Sequence, residues 1–199
     1  MHDPFPFTAP IWLQDLTTPL ADKLSLPTLP LHIHEILFAI LVYTFIFSYL
    51  SPLLSSTLCP STYPHLNKRT RINWDVHVVS MFQSIFICAL AIWTIFEDQE
   101  RKNMDWKERI WGYTGGCGFL QAMAAGYFIW DLIVTAIYVG IFGWGMLAHA
   151  VAATTVFMLG FVSMTMSSDL SPTSPYVFPS KRLNTNVHLT IVYLSLIHI

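Results

Sequence analysis

Residues 110–168 read IWGYTGGCGFLQAMAAGYFIWDLIVTAIYVGIFGWGMLAHAVAATTVFMLGFVSMTMSS, and Asp131 is the single Asp, Glu, Lys or Arg in that stretch. As one helix it would run about 88 Å at 1.5 Å per residue, far beyond a hydrocarbon core of roughly 30 Å. It must fold back on itself. Gly140-Ile141-Phe142-Gly143-Trp144-Gly145 is the turn signal, which leaves spans of about residues 117–139 and 144–165. Toward the N-terminus, residues 76–96 lack the same four residue types, with Trp74 at one end and Trp93 near the other, as interfacial anchoring favours. Residues 36–54 lack them too, close to the roughly 20 residues that cross a bilayer. Pro52 falls near the end of that run, where a missing backbone donor costs least. The expected fold is all-α, a polytopic transmembrane helix bundle of about four spans.

Composition excludes the competing classes. The chain has 199 residues, 54% hydrophobic and 11% charged, against roughly a quarter charged in an ordinary soluble domain. The net charge of -2 offers no basic surface for nucleic acid. A mean hydropathy of +0.52 is incompatible with disorder. Cys59, Cys88 and Cys117 form neither a CxxC pair nor an even disulfide framework. His65 in its Pro-flanked loop and His188 and His198 in the tail have no metal-ligand spacing, so no metal and no cofactor are predicted.

The first thirty residues hold Pro4, Pro6, Pro10, Pro19, Pro27 and Pro30, which argues against a long helix and for a Pro-rich arm over residues 1–34. The arm lacks the basic start and apolar stretch of a cleaved signal peptide, so the first span is expected to be an uncleaved signal anchor. Lys23, Arg101, Lys102, Lys107 and Arg109 on one side against Lys68, Arg69 and Arg71 on the other favour a cytosolic N-terminus by a small margin. His32 and His34 flank the first span beside Glu35. Their i, i+2 spacing puts them on different helical faces, and interfacial solvation is the expected role. The charged run at residues 97–109 reads as a solvated loop or short interfacial helix.

Candidate chemistry is sparse. Gly112-Tyr113-Thr114-Gly115-Gly116-Cys117-Gly118 is not a phosphate loop, since no strand precedes it and no Lys-Ser/Thr follows. Gly118, Ala122 and Gly126 recur every fourth residue, as do Gly145, His149 and Ala153. Such small-residue faces are expected to bring the third and fourth spans close together. Asp131 is the strongest single signal, because a carboxylate within a span costs on the order of 3 kcal/mol unless compensated. Counting depths along antiparallel helices places Gln83, Asp131 and His149 in neighbouring layers, with His77 and Trp74 above them near the interface. Two alternatives stay open: a hydrogen-bond cluster that locks the helices, and a polar pocket in which Asp131 and His149 are catalytic candidates and Gln83, His77 and Trp74 line a lipid site. No Gly-x-Ser-x-Gly elbow or His-Glu-x-x-His pair supports a hydrolase.

Asn73-Trp74-Asp75-Val76-His77-Val78-Val79-Ser80, then Gly126-Tyr127-Phe128-Ile129-Trp130-Asp131-Leu132, then Met146-Leu147-Ala148-His149-Ala150-Val151-Ala152-Ala153 resemble successive blocks of the TRAM-LAG-CLN homology (TLC) domain, most closely that of fungal TLC-domain proteins. The resemblance runs from about residue 35 to Phe161. It implies an endoplasmic reticulum membrane bundle engaged in lipid work, with membrane lipids as partners. Family members include ceramide synthases, which join an acyl-CoA to a sphingoid amine, and relatives that adjust membrane lipid composition or escort other proteins. Many relatives carry His where Gln83 stands, and a tandem His-His where this chain reads His149-Ala150. The resemblance therefore favours a non-catalytic protein of lipid homeostasis, with a ceramide-synthase-like lipid N-acyltransferase using acyl-CoA as the alternative.

Leu194-Ser195-Leu196-Ile197-His198-Ile199 is the in-frame translation of CTG TCT CTT ATA CAC ATC, the opening of a transposase adapter. The family likeness stops near Phe161, and Val162-Ser163 is what an intron donor GTAAGT encodes. The expectation is a partial TLC domain over residues 35–165, followed by a nonnative tail over 166–199 from intron read-through and adapter.

Overall fold

The structure, a computed structural model, describes residues 3–106 and 112–163. The tail expected to be nonnative, residues 166–199, lies outside the described residues, and so do Lys107 and Arg109 of the charge comparison. Among the described residues all regular structure is helical. The elements are α1 (Ile11–Leu24), α2 (Leu29–Phe45), a π-helical segment (Ile46–Leu50), α3 (Ser51–Leu58), a 3-10 turn (Tyr63–His65), α4 (Lys68–Glu97), α5 (Gln99–Asn103), α6 (Gly115–Ile137), α7 (Val139–Phe142) and α8 (Trp144–Ser163). Four stretches are long and apolar enough to cross a membrane: Leu29–Leu58, Lys68–Glu97, Gly115–Ile137 and Trp144–Phe161. The chain is an all-α transmembrane bundle.

The first span is longer than its uncharged core. It continues through Pro52, whose missing N–H and ring would break a regular α-helix. Immediately before it the helix widens, and the Ser51 N–H donates to the Ile46 carbonyl five residues back. A π-bulge of this kind relieves the clash at the proline and re-aims the residues beside it.

The arm differs from expectation. Residues 11–24 form a continuous helix, and residues 29–34 belong to the first span. Most of the prolines sit where they do no harm: Pro10 is the N-cap of α1 and Pro30 lies in the first turn of α2, positions whose N–H groups have no intrahelical partner. Pro19 alone interrupts α1. The helix leaves Trp12, Leu16, Leu20 and Leu24 exposed at every fourth position, while Ala21 and Leu26 join a core cluster with Leu29, Ile36, Ala122, Ala125 and Phe161.

Helix α6 is the hub, packing against α2, α8 and α4. The small-residue stripe Gly118-Ala122-Gly126 faces the first span, not the fourth as the sequence suggested. A Cβ on Gly126 would lie 2.5 Å from the Ala39 Cβ and 2.9 Å from the Ile36 carbonyl oxygen. The other stripe is not a tight contact, for a Cβ on Gly145 would meet nothing within 4 Å. Spans three and four are instead joined by Phe128 stacked on Phe157 with ring centroids 4.0 Å apart, and by Thr154 Oγ1 donating to the Phe128 carbonyl at 2.9 Å. The Gln121 amide also donates to the Phe157 carbonyl.

Two contacts fix the alternation of the spans. Arg69 at the start of α4 donates to the Ile141 carbonyl in the α6–α8 turn at 3.1 Å, and Thr28 before α2 donates to the Phe161 carbonyl in α8 at 2.9 Å. The first and third loops thus share one end of the bundle, and the arm lies at the other. The turn falls where the glycines predicted it: Gly143 has φ +86°, a conformation in which a Cβ would be strained.

Candidate functional site

The end of the bundle formed by α3, the 3-10 turn and the start of α4 carries an open groove of about 500 Å³. Phe47, Pro52, Leu66, Ile72 and Tyr138 give it apolar walls, and Lys68, Arg71 and Asp75 bring charge to it. Local sequence explains the placement. Asn67 caps α4 by accepting the Thr70 N–H at 2.9 Å, so Lys68 and Arg71 occupy the first turn. Asp75 lies one further turn in. The proline-associated π-segment turns Ser51 toward it.

Asp75 is only 5% exposed and is fully engaged. It accepts from Ser51 Oγ at 2.7 Å and from Tyr63 Oη at 2.9 and 3.0 Å. Burial, then the hydrogen bond and charge of Asp75, push the Tyr63 phenol up to about 12, so it stays a neutral donor. The Arg71 guanidinium sits 5.3 Å above the Tyr63 ring, a cation–π distance, and Nη2 donates to the Pro64 carbonyl at 3.0 Å. Its Nε is buried without a hydrogen-bond partner among the described residues.

From the groove an aromatic column leads into the bundle. Phe47 and Tyr138 at its mouth lie 6.4 Å apart, and Phe47 contacts Trp130 edge-on at 5.8 Å. Trp130 stacks against Tyr127 at 6.0 Å, and Tyr127 meets Tyr43 edge-on at 5.5 Å. The two phenols are satisfied from α4: Tyr43 Oη donates to Gln83 Oε1, and Tyr127 Oη pairs with Ser80 Oγ at 2.9 Å. Polar groups in the span are thereby paired within the bundle, the arrangement that makes burial there tolerable.

The residues singled out from sequence are divided by this geometry. Gln83 is 5% exposed and lies in the column. Asp131 is half-buried on the α6 face one turn from Tyr127, within electrostatic reach of both Tyr127 and His149. His149 is on the exposed side of α8. The expected cap of His77 and Trp74 over this group does not form. His77 is exposed on the outer face of α4, and Trp74 turns to α3, where its indole N–H donates to Ser55 Oγ at 2.9 Å. The rotation of α4 decides this, since Asp75, Val76 and Val79 occupy its inner face.

Tyr43, Ser51, Tyr63, Asp75 and Tyr127 were not picked out as site residues from sequence. The carboxylate at Asp75, one residue outside the assigned second span, was the available signal. His32 also departs from the interfacial solvation expected of it and His34: it is 1% exposed, and Glu35 beside it is 0% exposed. At that end of the bundle Asp98 is buried as well. Burial pushes its carboxyl up, and hydrogen bonds from the Thr114 hydroxyl and the Arg101 amide are among the interactions that hold it below its ordinary value.

Comparison with known proteins bears on these spans. A TLC domain is matched over residues 73–167. An uncharacterized TLC domain-containing protein of Schizosaccharomyces pombe is 39% identical over 152 residues, covering 76% of this chain and 50% of that protein. Topoisomerase I damage affected protein 4 of Saccharomyces cerevisiae is 26% identical over 129 residues, covering 64% of this chain and 44% of that protein. No solved structure matches significantly. The chain spans about half the length of these curated relatives. With the TLC domain lying over α4, α6 and α8, and a fungal TLC protein aligned through most of the chain, this integral membrane protein belongs to the TLC domain family.

Proposed function

We propose that the protein serves membrane lipid homeostasis in the endoplasmic reticulum, without catalysis of its own, by holding a membrane lipid in the groove between α3 and α4. The observation that carries this reading is the pairing of Lys68 and Arg71 with the apolar walls of Phe47, Ile72 and Tyr138 in one groove. A cationic rim over an apolar wall matches a lipid with an anionic headgroup, each such cation contributing about 1 kcal/mol near a charged membrane. In Lys68→Gln/Arg71→Gln, made in the full-length gene, lipid retained on the purified protein should fall roughly 30-fold in affinity, the equivalent of about 2 kcal/mol. The cellular lipid profile should shift toward that of the deletion. Unchanged retention and an unchanged profile would reject the groove as the lipid site, and microscopy against a reticulum marker tests the compartment.

One observation favours a second reading, N-acyl transfer from acyl-CoA. Asp131 lies within electrostatic reach of His149, and a carboxylate that orients an imidazole is a general-base arrangement. Asp131→Asn separates the readings, since Asn keeps the volume and most of the hydrogen bonding but removes the charge. Under the non-catalytic reading the lipid profile stays as in wild type. Under acyl transfer it collapses to that of the deletion while protein abundance is retained.

A further inference from the structure

At the arm end of the bundle, far from the groove, Asp3, His32 and Glu35 each present a ligand atom within 4.8 Å of the others. His32 Nδ1 lies 2.8 Å from Glu35 Oε2 and 3.6 Å from Asp3 Oδ2. His32 and Glu35 are 1% and 0% exposed and Asp3 is 32% exposed. The second Glu35 oxygen, Oε1, is buried with no hydrogen-bond partner among the described residues; His34 Nε2 is 3.8 Å away and is occupied with the Phe7 carbonyl at 2.7 Å.

Charge counting shows what this arrangement lacks. An imidazole nitrogen 2.8 Å from a carboxylate oxygen needs a positive centre between them, because two lone pairs repel. A proton on Nδ1 meets that need for one oxygen. Unless a second proton is shared between Glu35 and Asp3, it leaves Glu35 Oε1 bare and a second carboxylate beside the first, and unmatched buried carboxylate charge is costly. A divalent cation answers all three at once.

From this we propose that Asp3, His32 and Glu35 bind a divalent transition-metal ion of the Zn²⁺ class, through the two carboxylates and His32 Nδ1. One imidazole and two carboxylates are a donor set that Zn²⁺ accepts, with a fourth position left to water. The outer shell fits. His32 Nε2 is 2.7 Å from Tyr113 Oη, so the ring can donate its Nε2–H there and turn the Nδ1 lone pair to the metal, the usual way a ligating histidine is oriented. Gly118 supports the back of the ring: a Cβ there would lie 2.3 Å from His32 Nε2. The ion would fasten Asp3, ahead of α1, to the first span, holding the amphipathic helix against the bundle.

The test uses the full-length protein in detergent, stripped with a chelator and titrated with Zn²⁺, with Mg²⁺ in parallel and Co²⁺ as an optical probe. Wild type should take up a single Zn²⁺ per chain, prefer it to Mg²⁺, and give a Co²⁺ absorption spectrum. Asp3→Asn keeps an acceptor for the Phe5 N–H that Asp3 now holds at 2.9 Å, so the fold is spared while a ligand charge is lost. It and Glu35→Gln should each weaken Zn²⁺ binding at least as much as Tyr113→Phe, for which an outer-shell loss predicts roughly 10- to 100-fold. The exposed loop variant His65→Ala should bind as wild type. Absence of stoichiometric Zn²⁺, equal binding in Asp3→Asn and Glu35→Gln, or equal loss in His65→Ala would overturn the proposal and leave the cluster a proton-sharing network.

Discussion

Gly126→Leu should prevent the bundle from assembling, while Gly145→Leu should be nearly neutral. At Gly126 the first added atom already lies 2.5 Å from the Ala39 Cβ and 2.9 Å from the Ile36 carbonyl oxygen. The second obstacle is backbone, so no rotamer change relieves it and α2 must move as a body. Overpacking a formed core typically costs about 1–3 kcal/mol, and separating two helix backbones further forfeits the close contact that holds membrane helices together. Gly145 presents open space on α8, so the same substitution there displaces nothing. Thermal stability in detergent, read by fluorescence-detected size exclusion, should fall sharply for the first variant only. Equal stability of the two would mean that α2 and α6 do not meet at this stripe.

Asp75→Leu should be comparably damaging, for an electrostatic reason. The substitution leaves the Ser51 and Tyr63 hydroxyls, now donating at 2.7 to 3.0 Å, buried without an acceptor. Each such orphan costs roughly 1–3 kcal/mol. Tyr63 would also lose what holds its ring under Arg71, and the groove would lose a wall. Asp75→Asn keeps one acceptor oxygen and should lie between wild type and Leu in stability, with lipid retention following the same order. A destabilisation by Asn as large as that by Leu would mean that the charge, rather than the hydrogen bonds, holds α3 to α4.

Much of the fold was legible in the chain itself. Uncharged runs long enough to cross a bilayer exist for one physical reason, the cost of placing a charge in hydrocarbon, so both ends of the third span, the C-terminal end of the second and the start of the fourth are placed to within two residues. Gly143 marked the reversal because its positive φ has few other residues to choose from. The arm is more helical than its proline count suggests, because the cost of a proline depends on whether its N–H would have been bonded. Of the six, five fall outside a helix interior. The candidate site was harder to read, since depth along a helix follows from counting but rotation about its axis does not. Gln83 and Asp131 were at the right depth beside the Tyr43–Tyr127 pair. His77 had the right depth and the wrong azimuth.

Sequence by itself determined that this chain crosses a membrane as a four-span helical bundle with TLC-domain blocks, because the hydrophobic length and charge exclusion of each span are local properties of consecutive residues. Only the tertiary structure decided that the Gly118-Ala122-Gly126 stripe receives the first span and not the fourth, that Asp75 is tied to Ser51 and Tyr63, and that Asp3 comes to lie beside His32 and Glu35. Those pairings join residues far apart in the chain. They depend on which faces of already apolar helices meet, and an apolar pattern that is satisfied by lipid all round carries little record of that choice.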